Sequence, residues 1–222
     1  MIEHLLRINP AGAPRATVLI VPPLFEEANR TRRTLVLAMR ALAAHGFAAV
    51  LPDLPGQNES LVPLVETDLT RWQGALTEVA ATIDGPVIAA SVRGGALIDH
   101  RADVAAWWRL APIGGASLLR TLMRARMAAD REAGLNSSFE SLQAAAETSP
   151  LLVAGNALSP AMVAQLGAAE AQSVEPLRSI ALGAEGIVGT PLWLRAEPGE
   201  DAAMAAAIAA DIAAWAKTCG IS

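Results

Sequence analysis

Residues 86–100 read PVIAASVRGGALIDH. A short apolar run, Pro86 to Ala90, passes into small residues and then into a segment that reads as helix from Gly94 to Arg101. That is the layout of a nucleophile elbow, a strand that turns sharply into a helix and lifts one side chain above a sheet. Gly94 and Gly95 supply the close strand–helix approach such a turn needs. Counting small-x-nucleophile-x-small along Ser91-Val92-Arg93-Gly94-Gly95 puts Arg93 at the tip. A guanidinium stays protonated and has no lone pair to offer, so it is no nucleophile. It can bind a carboxylate or phosphate, or lock two loops together by an ion pair.

The flanking sequence has the alternation of an α/β chain. Thr17–Val21 is a β-branched run stopped by Pro22-Pro23, and 47–51 is a second such run. Between them, residues 31–45 carry apolar positions at helical spacing and end at Gly46, a natural left-handed terminator. A helix is expected over 67–83 with Thr67 or Asp68 as cap, and a fourth strand over 105–111. Short apolar strands alternating with helices imply a mainly parallel sheet flanked by helices.

Residues 115–150 break that rhythm. Leu118, Leu119, Leu122, Met123 and Met127 form an apolar face beside Arg120, Arg124, Arg126 and Arg131. A helical insertion is expected there, lying like a lid over the carboxyl end of the sheet. Later strand candidates are 151–154, 191–194 and, more weakly, 180–182. Met204, Ile208, Ile212 and Trp215 share one face of a last helix. No repeat or linker divides the chain, so residues 1–222 read as one domain.

In open parallel sheets the loops at the carboxyl ends of strands line the ligand crevice. The loop PPLFEEANRTRR, residues 22–33, crowds Glu26, Glu27, Asn29, Arg30, Arg32 and Arg33 into that position. Helix capping accounts for the acids, but not for arginines near the positive end of a helix dipole. Pro52-Asp53-Leu54-Pro55-Gly56 reads as a structural turn. A serine hydrolase on such a sheet needs a histidine after the last strand. The chain has 3 histidines, His4, His45 and His100, and none falls there. The segment 195–203 carries Glu197, Glu200 and Asp201 instead. The candidate ligand-binding set is Glu26, Glu27, Asn29, Arg33, Arg93 and Glu197. Arg93 is expected to pair with Glu26 or Glu27, with Glu197 next, because both acidic loops flank the elbow. The alternative is a working ester or amide hydrolase that uses Ser91, two places before the tip, or a water activated by Glu26 or Glu27.

Apolar residues make up 53% of the 222, with a net charge of −5, which argues against nucleic acid as a partner. No apolar run approaches the length of a spanning helix, and no leader is legible at the N-terminus. The one cysteine, Cys219, forms no internal disulfide or zinc cluster, so a cytoplasmic protein is expected, without metal or cofactor. The expected partner is a small polar or anionic ligand, or another protein.

Several segments together resemble the exosortase A system-associated hydrolase 2 group of the α/β-hydrolase superfamily. They are Pro22-Pro23 with FEEANRTRR, Pro52 to Gly56, the arginine-tipped SVRGGAL, LLRTLMRARMAA and VAGNALSPAM, collinear from about residue 17 to residue 197. The resemblance implies an α/β-hydrolase fold and a bacterial cytoplasmic protein. It also implies a setting near exopolysaccharide and exosortase protein-sorting systems.

Overall fold

The five residues of β2 (Thr17–Val21) are all buried, and their alternation shows how the molecule is layered. Val18 and Ile20 belong to one apolar cluster; Leu19 and Val21 belong to another. Successive side chains of a strand point to opposite faces, so β2 lies in a sheet covered on both sides. The computed structural model describes residues 4–184 and 186–221.

In chain order the elements are β1 (Leu5–Ile8), β2, α1 (Glu26–Ala44), β3 (Ala48–Pro52), α2 (Leu69–Ala81), β4 (Val87–Val92), β5 (Ala106–Leu110), α3 (Gly115–Glu132), α4 (Phe139–Ala146), β6 (Leu151–Val153), β7 (Asn156–Leu158), α5 (Pro160–Ala168), β8 (Leu177–Ile180) and α6 (Ala202–Thr218). The main sheet runs β1-β3-β2-β4-β5-β8. β1 pairs antiparallel with β3, while every other pairing is parallel. The fold is α/β: a mainly parallel sheet flanked by helices, with a helical insertion after β5.

One face carries α1 and α6 over Val18, Ile20, Ile88 and Trp108, with Leu35, Met39, Ile208 and Ile212 among the covering side chains. The other carries α2, α3 and α5, whose Trp72, Leu76, Met123 and Met162 meet Leu19, Val21 and Val50. From β2 the chain crosses to β3 on one side, then returns to β4 on the other. The loops leaving β2 and β4 therefore diverge, and a crevice opens between them at the carboxyl edge.

Three expectations are corrected. No helix follows the elbow: Arg93–Leu97 is a 3-10 turn that ends at Ile98. Two consecutive glycines disfavour helix, and the Asp99 carboxylate is drawn into the sheet by Arg109 and Ser91. Residues 151–153 form a strand, but in a separate hairpin with β7. Ala154 and Gly155 take φ of 46° and 77°, the positive values that a two-residue hairpin turn requires, so the strand folds straight back. Residues 192–194 make a 3-10 turn after Pro191, and the outermost parallel strand is β8, close to the weaker candidate at 180–182. α1 also begins earlier than its apolar spacing announces, at Glu26. Asp68 caps α2 by accepting from the Arg71 N–H.

Candidate functional site: the elbow crevice

β4 delivers Arg93 to the crevice in a left-handed backbone conformation, φ 55°, that a non-glycine residue adopts at a cost. The neighbouring glycines make the turn possible. A Cβ on Gly95 would sit 2.6 Å from the Val21 carbonyl oxygen and 2.7 Å from that of Pro22. The elbow thus packs backbone to backbone against the loop leaving β2.

That loop turns into α1 at Phe25, whose φ of 57° is also left-handed and whose ring lies 5.4 Å from that of Trp72. The turn sets Glu26 and Glu27 in the first turn of α1, beside the elbow. Arg93 Nε donates to Glu27 Oε2 at 3.1 Å and Nη2 donates to Glu27 Oε1 at 3.2 Å. Nη1 reaches the Ala111 carbonyl, at the end of β5, at 3.5 Å. The guanidinium also stacks over Trp193, 4.7 Å from the ring centroid. The two side chains are 15% and 9% exposed, so the pair is largely withdrawn from water. The expected carboxylate partner of Arg93 is therefore Glu27.

A cavity of about 160 Å³ adjoins this pair, walled by Leu24, Leu118, Leu122, Ala154 and Trp193 and bearing Glu26, Glu27, Arg30 and Arg93. Asn156, just past the hairpin turn, donates from Nδ2 to Glu26 Oε1 at 3.1 Å. Arg30 Nη1 donates to the Trp193 carbonyl at 3.0 Å. α3 closes one wall through Leu118, Thr121, Leu122 and Ala125. Its Arg126 ties it to the hairpin by donating to the Leu152 carbonyl at 2.7 Å.

Other residues named from the sequence lie elsewhere. Asn29 and Glu197 are exposed and do not line the cavity. Arg33 is exposed and paired with Glu200 on the surface. Ser91 is fully buried, and its hydroxyl donates to Asp99 Oδ2 at 2.6 Å. Asp99 also takes two bonds from Arg109, at 2.6 and 2.9 Å. A nucleophile must reach its substrate, and Ser91 lies inside a buried ion-pair cluster rather than in the crevice. None of the 3 histidines lines the crevice. His100 borders a different hollow, with Gln73, Gln165 and Glu170. Desolvation lowers its pKa against the opposing charge of Asp99, with Arg101 and Arg109 adding to the lowering. Among the described residues no three His, Cys, Asp or Glu side chains converge as a metal site, and no helix is long and apolar enough to cross a membrane.

Two contributors escaped the sequence, Asn156 and Trp193, while Arg30 was named in the crevice loop but not in the candidate set. The sequence reads Trp193 as part of a strand at 191–194, and it lies in a 3-10 turn. The AGN turn was visible, but nothing local reported which loop its asparagine would meet.

A mainly parallel sheet with its switch point at an elbow turn, and a helical insertion at the carboxyl edge, is an α/β architecture of the kind that holds ligands at that edge. No protein-family profile matches the chain, and no curated protein matches it by sequence. Among solved structures it is similar to Est1E from Butyrivibrio proteoclasticus with ferulic acid bound. That match has 17% identity and a TM-score of 0.48, over 74% of this chain and 66% of that one. It is also similar to a soluble variant of monoglyceride lipase from Saccharomyces cerevisiae in complex with a substrate analogue. There the identity is 13% and the TM-score 0.47, over 74% of this chain and 64% of the lipase. An α/β serine hydrolase without lid from Xanthomonas campestris matches at 20% identity and a TM-score of 0.42, over 49% and 55% of the two chains. The chain thus spans less than two thirds of the length of these structures.

Proposed function

We propose that this chain is a hydrolase-fold protein without acyl-transfer chemistry, which binds a small polar or anionic ligand in the elbow crevice. The observation that carries the reading is the bidentate Arg93–Glu27 pair at the elbow tip. Acyl transfer at that position needs an oxygen or sulfur nucleophile and a base to take its proton. Arg93 supplies neither, Glu27 is engaged by it, and no imidazole reaches the crevice. What remains is a recess with apolar walls and fixed charges, the composition of a binding site. The resemblance of SVRGGAL and VAGNALSPAM to the exosortase A system-associated hydrolase 2 group extends the proposal to a setting near exosortase and exopolysaccharide systems.

The test is chemical. Purified protein is expected to take no label from a serine-reactive fluorophosphonate and to hydrolyse small esters no faster than a heat-denatured control. Labelling that disappears in Ser91→Ala, or ester turnover that disappears in Glu26→Gln or Glu27→Gln, would restore the hydrolase alternative.

A further inference from the structure

Four charged side chains border the cavity, and they fall into two unlike pairs. Glu27 and Arg93 satisfy each other. Glu26 and Arg30 do not, although they stand four residues apart on α1 with the acid first. That spacing and order ordinarily close an ion pair along a helix. Among the described residues neither has an oppositely charged side chain within 4.0 Å. Instead Glu26 is held by the neutral amide of Asn156 at 3.1 Å, and Arg30 by the neutral carbonyl of Trp193 at 3.0 Å. The hairpin thus draws the carboxylate one way and the Trp193 turn draws the guanidinium the other. Both groups are oriented, and neither is neutralised.

The ligand chemistry follows from what each class of molecule would leave unmet. A simple anion would reach Arg30 but bring its charge beside Glu26. A simple cation would reach Glu26 but bring its charge beside Arg30. A neutral molecule would displace water from both charges and compensate neither, which is unfavourable. We propose that the crevice takes a small zwitterion, its carboxylate on Arg30 and its ammonium on Glu26; this rests on the reading of the crevice as a ligand site. The cavity of about 160 Å³ accommodates a molecule of roughly six to eight non-hydrogen atoms, since an apolar cavity of about 150 Å³ holds benzene. Arg30 keeps its remaining N–H donors for a carboxylate, and Glu26 keeps Oε2 for an ammonium. Leu122 and Trp193 line the same cavity and offer apolar contact to a short side chain. An alanine-sized amino acid meets all of these conditions.

Ligand-observed NMR on the purified full chain, with L-alanine, β-alanine, propionate and propylamine as probes, tests the assignment. One of the two amino acids is expected to saturate the protein. Propionate and propylamine should bind at least about tenfold more weakly, the loss that accompanies one missing charge-assisted hydrogen bond. Glu26→Gln should reduce the amino acid to the level of propionate, and Arg30→Gln to that of propylamine, with folding checked by far-ultraviolet circular dichroism. Arg40→Gln, on the exposed side of α1, should change nothing. Propionate binding as tightly as both amino acids would overturn the zwitterion while leaving an anion-binding crevice in place. Absence of saturation by all four probes, or amino-acid binding indifferent to both substitutions, would overturn it as well. If either variant fails to fold, the four-probe comparison on the unaltered chain decides. Ester turnover is a separate readout, and it bears on the loss of hydrolase chemistry rather than on the ligand.

Discussion

Replacing Arg93 by methionine keeps much of the side-chain volume and removes the charge, leaving Glu27 in a site only 9% exposed. Loss of one partner from a fully buried pair costs about 3–5 kcal/mol. Arg93 retains 15% exposure and Glu27 borders the cavity, so water reaches the stranded carboxylate. We therefore expect Arg93→Met to cost about 2–4 kcal/mol, including the lost stacking on Trp193, which alone is worth roughly 0.5–2 kcal/mol. Glu27→Gln should cost a similar amount, because the guanidinium cannot shed its proton. The double variant removes both charges together and should fall at least about 1.5 kcal/mol short of the sum of the two single losses. Urea denaturation followed by far-ultraviolet circular dichroism measures all three. With a urea slope of about 2–3 kcal/mol/M for a chain of this size, the single variants should lower the midpoint by roughly 1 M. Strict additivity of the two losses, or single effects below about 0.5 kcal/mol, would mean that the pair is solvated and that its geometry carries no energy.

Arg109→Met strands the carboxylate of Asp99, which is wholly buried, and should cost about 3–5 kcal/mol in the same denaturation assay. At Asp211, desolvation raises the pKa, but hydrogen bonds from Arg178 and Trp108 with the charge of Arg178 outweigh it, so the net shift is downward from 3.8. A depressed carboxylate gives stability that is complete above its unfolded pKa and lost as pH falls through the folded one. Asp211→Asn should therefore flatten the fall in stability below about pH 4. His100, lowered by burial, is expected to titrate below 6.5 when followed by NMR, and to make the fold less stable as pH falls from 6.5 toward its folded pKa. Hydrogen exchange should be slow in α3 at 118–123, whose apolar side is buried in the core, and fast in 133–138 and α4. Equal protection across both segments would contradict that division.

The fold was legible wherever local physics and tertiary demand agree. Thr17–Val21 is β-branched because it is buried on both faces, and Gly46 ends α1 because φ is 86° there. The elbow was legible for the same reason: its two glycines answer a steric demand that they carry themselves. The helix expected after it failed because its fate depends on Arg109, ten residues beyond Asp99, and no periodicity reports a buried partner at that distance. The site was half visible. Two acids after β2 and an arginine after β4 announce their meeting, since the topology of a parallel sheet brings those loops together. Trp193 and Asn156 did not, because each arrives on a segment whose direction is set by a turn: Pro191 for one, the left-handed Ala154-Gly155 pair for the other.

The stacking of Arg93 on Trp193 gives the crevice an optical property. The chain contains 5 tryptophans and no tyrosine, so indole rings dominate its near-ultraviolet emission. Of the five, only Trp193 lines the cavity, and its ring faces a fixed positive charge 4.7 Å away. Indole excitation shifts electron density across the ring, so its emission energy follows the nearby field. A charged guest beside Arg30 and Glu26 would change that field without moving the backbone. The molecule thus carries a spectroscopic reporter at the place where a ligand would sit, and a titration of its intrinsic fluorescence needs no attached dye.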